Sequence, residues 1–232
     1  MAIRVGVAWA THFDRPLWQQ ALQTSVRHTR LRYAYRAPSL FLQGMLNAGD
    51  DIQFVLCDED LTSTSLDPGA CQDVDILYVA SHGGLGSNGF SVALHALDWD
   101  LLTSNFGGRG PAVVVFDCCN LDNVKQPGWT TKWENSSLGT ELRMVLGFRS
   151  AASVSKLASI RGRAFATMLR QLPVKDAWFG SMQAGAYYQT DEPLAIAFGD
   201  DPQDAQNTLD TLDIDNLPGP RTSATPTVKA KY

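Results

Sequence analysis

Residues 75–84 read DILYVASHGG and residues 112–120 read AVVVFDCCN, and these two stretches decide the fold. Each is an unbroken apolar run, rich in β-branched and aromatic residues, that stops at a chemically active side chain. Runs without alternation suit strands covered on both faces, as in a parallel sheet. Further runs of this kind lie at 4–10, 53–57, 144–148 and 194–198, the last closed by Gly199.

Helical patterns separate the runs. Asp14 is a candidate N-cap with Pro16 in the first turn, and Trp18, Ala21, Leu22 and Val26 then share one face. A shorter helix is expected over 38–48, ending at Gly49. Two amphipathic helices are expected at 155–171 and 174–187, with Pro173 between them. Residues 90–97 differ, because Phe90, Val92, Leu94 and Ala96 alternate at period two, as in a small hairpin or edge piece. Strand and helix in this order imply an α/β three-layer sandwich with a mostly parallel central sheet. One domain is expected over 1–215, followed by a mobile tail at 216–232 with almost no bulky apolar residue.

The chain has 232 residues, 44% of them hydrophobic, enough for one sizeable core. A net charge of −5 without a basic run argues against nucleic acid or an anionic membrane as partner. The apolar run at 3–10 is too short for a membrane span and lacks a small-residue cleavage site before Asp14, so it reads as a first core strand. Cys57, Cys71, Cys118 and Cys119 show no CxxC pairing and no histidine at ligand spacing, so neither a zinc site nor a disulfide framework is indicated and a cytoplasmic protein is expected. No metal and no cofactor are expected. Adjacent Cys118 and Cys119 leave a vicinal disulfide as a redox alternative.

In open α/β sheets, functional groups gather where the carboxyl ends of the strands converge. One strand here runs into Ser81-His82-Gly83-Gly84 and another into Asp117-Cys118-Cys119-Asn120. A thiol near its reference pKa of about 8.5 is mostly protonated at neutral pH and benefits from a neighbouring base. His82 supplies one. The N–H groups of Gly83 and Cys119 are candidate donors to a developing oxyanion.

An apolar strand ending in His-Gly, followed by one ending in a small or acidic residue and a cysteine, resembles the caspase-like (clan CD) cysteine peptidases. That superfamily includes caspases, legumain, gingipains, separase and the CHAT-type proteases. The resemblance implies a caspase-like fold and a thiol protease with His82 and Cys119 as catalytic pair, and with Gly83 and Cys119 as oxyanion donors. It implies a peptide or protein substrate, and activation by a partner or by dimerisation, as is common in similar proteins. The glycine usual shortly after the nucleophile is missing, since Leu121, Asp122 and Asn123 follow.

Loops after the strands supply the candidate pocket residues His12, Asp14, Arg15, Asp117, Trp129, Trp133 and Arg149. Asp14 would suit a basic substrate side chain, and Arg15 or Arg149 an acidic one. Cys118 remains an alternative nucleophile, because period two sends adjacent residues to opposite faces. Gly84, Gly86 and Gly89 also satisfy G-x-G-x-x-G after a strand, which would need a helix to open there to bind a dinucleotide. Asp58, Glu59 and Asp60 are either a solvated turn or a Mg²⁺ cluster. The same dyad also serves acyl transfer to an amine or carbon nucleophile, and a catalytically silent module that binds a peptide or partner protein is the alternative outside enzymology.

Overall fold

A computed structural model describes residues 2–13, 30–62, 64–66, 71, 73–86, 89–94, 98–100, 110–119, 121, 133, 140–150, 152–184, 191–218 and 228–231. Its main sheet uses β1 (Arg4–Trp9), β2 (Asp51–Cys57), β3 (Ile76–Ala80), β7 (Val113–Asp117), β8 (Met144–Phe148), β9 (Pro193–Ala197) and β10 (Val228–Lys231). The strand order is β10-β9-β8-β7-β3-β1-β2. β2, β1, β3, β7 and β8 run parallel, while β9 and β10 add on in antiparallel sense.

The unbroken apolar runs are explained by burial on both faces. Every residue of β3, β7, β8 and β9 is buried, whereas edge strand β2 alternates between exposed and half-buried positions. Ile76, Tyr78, Val113, Val115, Met144 and Leu146 point to one face. Leu77, Val79, Val114, Phe116 and Val145 point to the other. Full burial of each such side chain contributes about 1.5–3 kcal/mol relative to exposure, before the entropy of ordering it is subtracted.

The first face is covered by α1 (Arg36–Asn47), α2 (Ile160–Met168), α3 (Val174–Gln183) and α4 (Pro202–Thr211), which contribute Phe41, Met45, Phe165, Trp178 and Leu209. α1 and α2 pack closely because a Cβ on Gly162 would sit 2.0 Å from the Ala37 carbonyl oxygen. α1 ends in a Schellman motif, with Gly49 at φ +86° donating to Leu46 and Asp50 donating to Met45.

The opposite face is covered by Phe13, Leu61, Leu66, Leu121, Trp133 and a small antiparallel sheet of β4 (Gly83–Gly86), β5 (Gly89–Ala93) and β6 (Asp98–Asp100). The expected helix beginning at Asp14 lies outside the described residues, so the described helices flank one face of the sheet.

The α/β class and the mostly parallel central sheet agree with expectation, and several details differ. The helix expected at 155–171 is shorter, because 156–159 form turns before Ile160. α4 was not anticipated, although Asp201 caps it by accepting from the Asp204 N–H at 2.8 Å and Pro202 occupies its first turn. The tail expected to be mobile supplies β10, which pairs with β9 from Val228↔Ala197 to Lys231↔Leu194. A backbone ladder needs no bulky apolar side chain, so composition carries no signal for that pairing. The glycines of the G-x-G-x-x-G motif fall in β4 and β5, which pair antiparallel with Gly86 opposite Gly89. Among the described residues there, strand takes the place of the helix whose N-terminus a dinucleotide pyrophosphate requires. Among the described residues no helix is long and apolar enough to cross a membrane.

Candidate active site

β3 and β7 are adjacent and parallel, and their last paired residues are Ala80 and Asp117. His82 lies two residues beyond the first and Cys119 two beyond the second, so both emerge at the same mouth of the sheet. The histidine turn is held from the small sheet: Ser81 Oγ donates to the Ala93 carbonyl, and the Ala93 N–H donates to the His82 carbonyl at 2.9 Å. The Phe13 ring flanks the imidazole at a centroid distance of 5.0 Å and a tilt of 51°. His82 itself is half-buried.

Gly83 meets Cys119 backbone to backbone. A Cβ on Gly83 would lie 1.9 Å from the Cys119 carbonyl oxygen and 2.8 Å from its nitrogen, a space that only glycine leaves open. The two motifs are therefore in direct contact across the strand ends.

The two cysteines have different environments. Cys118 is buried in the apolar cluster with Phe116, and burial pushes its thiol well above the ordinary range. Cys119 is half-buried, and its Sγ accepts the Ala152 N–H at 3.3 Å. Burial raises the Cys119 thiol pKa, and Asp117 and Asp191 push the same way. The Ala152 N–H and the charge of Arg161 oppose them. All four cysteines are free thiols, including the adjacent pair.

Beneath Cys119 lies a buried ionic network. Arg161 reaches Asp117 through Nε at 3.2 Å and Nη2 at 2.5 Å, and Asp191 through Nη1 at 3.5 Å. The Tyr78 hydroxyl donates to Asp117 at 2.8 Å, and the Ser153 hydroxyl donates to Asp191 at 2.6 Å. The guanidinium also lies 5.0 Å from the Phe148 ring centroid. Burial would depress the Arg161 pKa, but Asp117 and its neighbours raise it above the ordinary value. Burial, reinforced by Asp117, pushes the Tyr78 hydroxyl well above its own.

The remaining candidate residues scatter. His12 is on the surface, with Nδ1 2.8 Å from Thr11 Oγ1, and borders a cleft with Arg30, Arg32 and Tyr35. Asp58 accepts the Thr11 and His12 N–H groups, so this member of the acidic cluster ties down the loop after β1. Arg149 is half-buried and its N–H donates to the Glu192 carbonyl. Asp117 forms part of the buried network. Trp133, expected at a pocket wall, is instead fully buried between Phe90, Phe116 and Phe198, with ring centroids 6.1–6.4 Å apart. A large indole gains more from that apolar layer than from a solvated loop. Asp14, Arg15 and Trp129 lie outside the described residues.

Arg161, Asp191, Ser153 and Ala152 were not anticipated. One signal is present: Arg161 and Phe165 on the buried face of α2 and Leu169 at its C-cap recur at helical spacing, so the arginine occupies a core position. A buried arginine requires a buried acid.

A family model described as Domain of unknown function (DUF6345) matches residues 53–216. No curated protein matches the chain. Among solved structures, one described as "structure of pro-sf-caspase-1" is similar at 11% identity and a TM-score of 0.46, covering 79% of this chain and 80% of that one.

Proposed function

The chain belongs to the DUF6345 family, whose description names no chemistry, and from the site itself we propose that the protein is a cysteine peptidase of caspase-like type. The observation that carries this reading is the register Ala80↔Asp117, which delivers His82 and Cys119 to one mouth of the sheet with Gly83 packed on the Cys119 backbone.

In the proposed reaction His82 takes the proton of Cys119 as the sulfur attacks the substrate carbonyl. The oxyanion that forms is stabilised by the N–H groups of Gly83 and Cys119. Collapse breaks the C–N bond, His82 passes its proton to the leaving amine, and a thioester remains on Cys119. Water, deprotonated by His82, then breaks the thioester and restores the thiol. Cys119 is favoured over Cys118 because it is half-buried, whereas Cys118 is sealed in the core.

The test is labelling by a peptide carrying a thiol-reactive group, located by mass spectrometry. Modification of Cys119 in the wild type and in Cys118→Ala, lost in His82→Ala with the fold retained, is the expected result. Equal labelling with and without His82 would remove the dyad and leave a silent binding module.

A further inference from the structure

The N–H that reaches the Cys119 sulfur comes from Ala152, 33 residues further along the chain in the loop after β8. That loop is tied down on both sides of Ala152. The Arg149 N–H donates to the Glu192 carbonyl at 2.8 Å, just beyond the last β8–β9 pair, Phe148↔Pro193. Ser153 donates to Asp191, its N–H lying 3.1 Å from both carboxylate oxygens and its hydroxyl 2.6 Å from one of them. Asp191, only 5% exposed, pairs with Arg161 Nη1 at 3.5 Å. The same guanidinium bonds through Nε and Nη2 to Asp117, two residues before Cys119. One buried cation therefore joins the segment that carries the sulfur to the segment that carries its donor.

We infer, building on Cys119 as the proposed nucleophile, that Asp191 and Ser153 are positioning residues that hold the Ala152 N–H on the Cys119 sulfur, with Arg161 fixing them to the strand end that bears the cysteine. A hydrogen bond to an ion is stronger than one to its neutral form, so a donor already in place favours the thiolate. Asp191 cannot swing away without stranding a buried charge. The groups around the sulfur act in opposite directions. Burial opposes the thiolate most, the Ala152 N–H favours it next, Asp117 and Asp191 oppose it, and Arg161 favours it. Cys118 on the same strand end is a sealed thiol, and His82 shares the mouth of the sheet from the end of β3. Asp191 thus acts twice, against the thiolate through its charge and for it through the N–H it holds, and the second effect is the larger.

That opposition gives the test its sign. The full chain and its Asp191→Ala, Asp191→Asn, Ser153→Ala and Ser153→Thr variants are alkylated with iodoacetamide over a range of pH, the label at Cys119 is followed by mass spectrometry, and denaturant unfolding checks the fold. Both Asp191 variants remove the charge, but only asparagine keeps a carbonyl oxygen to accept from Ser153. Asp191→Ala is expected to slow alkylation of Cys119 about tenfold at neutral pH, the effect of losing one hydrogen bond to a charged group, with the gap closing at high pH. Asp191→Asn is expected to react at least as fast as the wild type. Ser153→Ala, which keeps the charge and the backbone N–H, is expected to slow the reaction about threefold, and Ser153→Thr to restore it. His82 is present in every variant, so its titration enters each profile alike. Faster alkylation in Asp191→Ala, or equal rates in the two Asp191 variants, overturns the proposal, because loss of charge or loosening of the site by itself lowers the thiol pKa. Should Asp191→Ala not fold, a wild-type rate in Ser153→Ala overturns it. If the iodoacetamide order holds while peptide probes leave Cys119 unmodified, the positioning stands and the peptidase proposal fails.

Discussion

A Cβ atom placed on Gly83 would lie 1.9 Å from the carbonyl oxygen of Cys119, so the turn after the histidine and the turn at the thiol share one close backbone contact. Because the obstacle is backbone, neither side can yield by a rotamer change.

Gly83→Ala should therefore destabilise the protein by about 1–3 kcal/mol, the cost of overpacking, and separate the two strand ends. Chemical denaturation measures the first effect. Slower labelling of Cys119 by a peptide probe measures the second, and an alanine variant as stable and reactive as the wild type would contradict the contact.

The reactivity of Cys119 should rise steeply with pH. Burial raises its thiol pKa, so at pH 7 the thiolate fraction is below that of a free cysteine, and labelling should accelerate only at higher pH than for a free cysteine. Cys118, buried still more deeply and shifted further in the same direction, should lag behind at every pH. The iodoacetamide rate in Cys118→Ala and Cys119→Ala variants separates the two. The sign for stability follows, since a raised folded pKa favours the neutral thiol. Its contribution is complete below the unfolded pKa and is lost as pH rises through the folded one.

Arg161→Ala would leave Asp117 buried with Tyr78 as its remaining side-chain partner. Loss of one member of a buried pair costs about 3–5 kcal/mol. A drop of that size in denaturant unfolding is expected, whereas a surface ion pair such as Lys175–Asp210 should be worth under about 1 kcal/mol.

Trp133→Ala distinguishes core from lid. A fully buried indole in an aromatic cluster should cost about 3–5 kcal/mol when truncated. A lid residue would alter substrate rates and leave the unfolding midpoint in place.

Several of these residues could be read from the sequence and several could not. Ile76–Ala80 and Val113–Asp117 declare themselves because strands buried on both faces must be apolar throughout. His82 and Cys119 stand out because each ends such a run. The burial of Trp133 and the pairing of 228–231 with β9 are not legible in the sequence, for related reasons. Distance along the chain says nothing about which layer closes over a loop, and composition says little about backbone pairing at a sheet edge.

The sequence by itself determined the α/β layering, the strand termini and the presence of a histidine and a cysteine at the ends of two such strands, because hydrophobic periodicity and motif order are local properties. Only the tertiary structure decided that β3 and β7 are neighbours in register, that Cys118 is sealed while Cys119 is half-buried, and that Arg161 neutralises Asp117 from a distance of 44 residues along the chain. Those outcomes depend on contacts between remote segments, where burial and charge pairing are settled jointly by the whole fold.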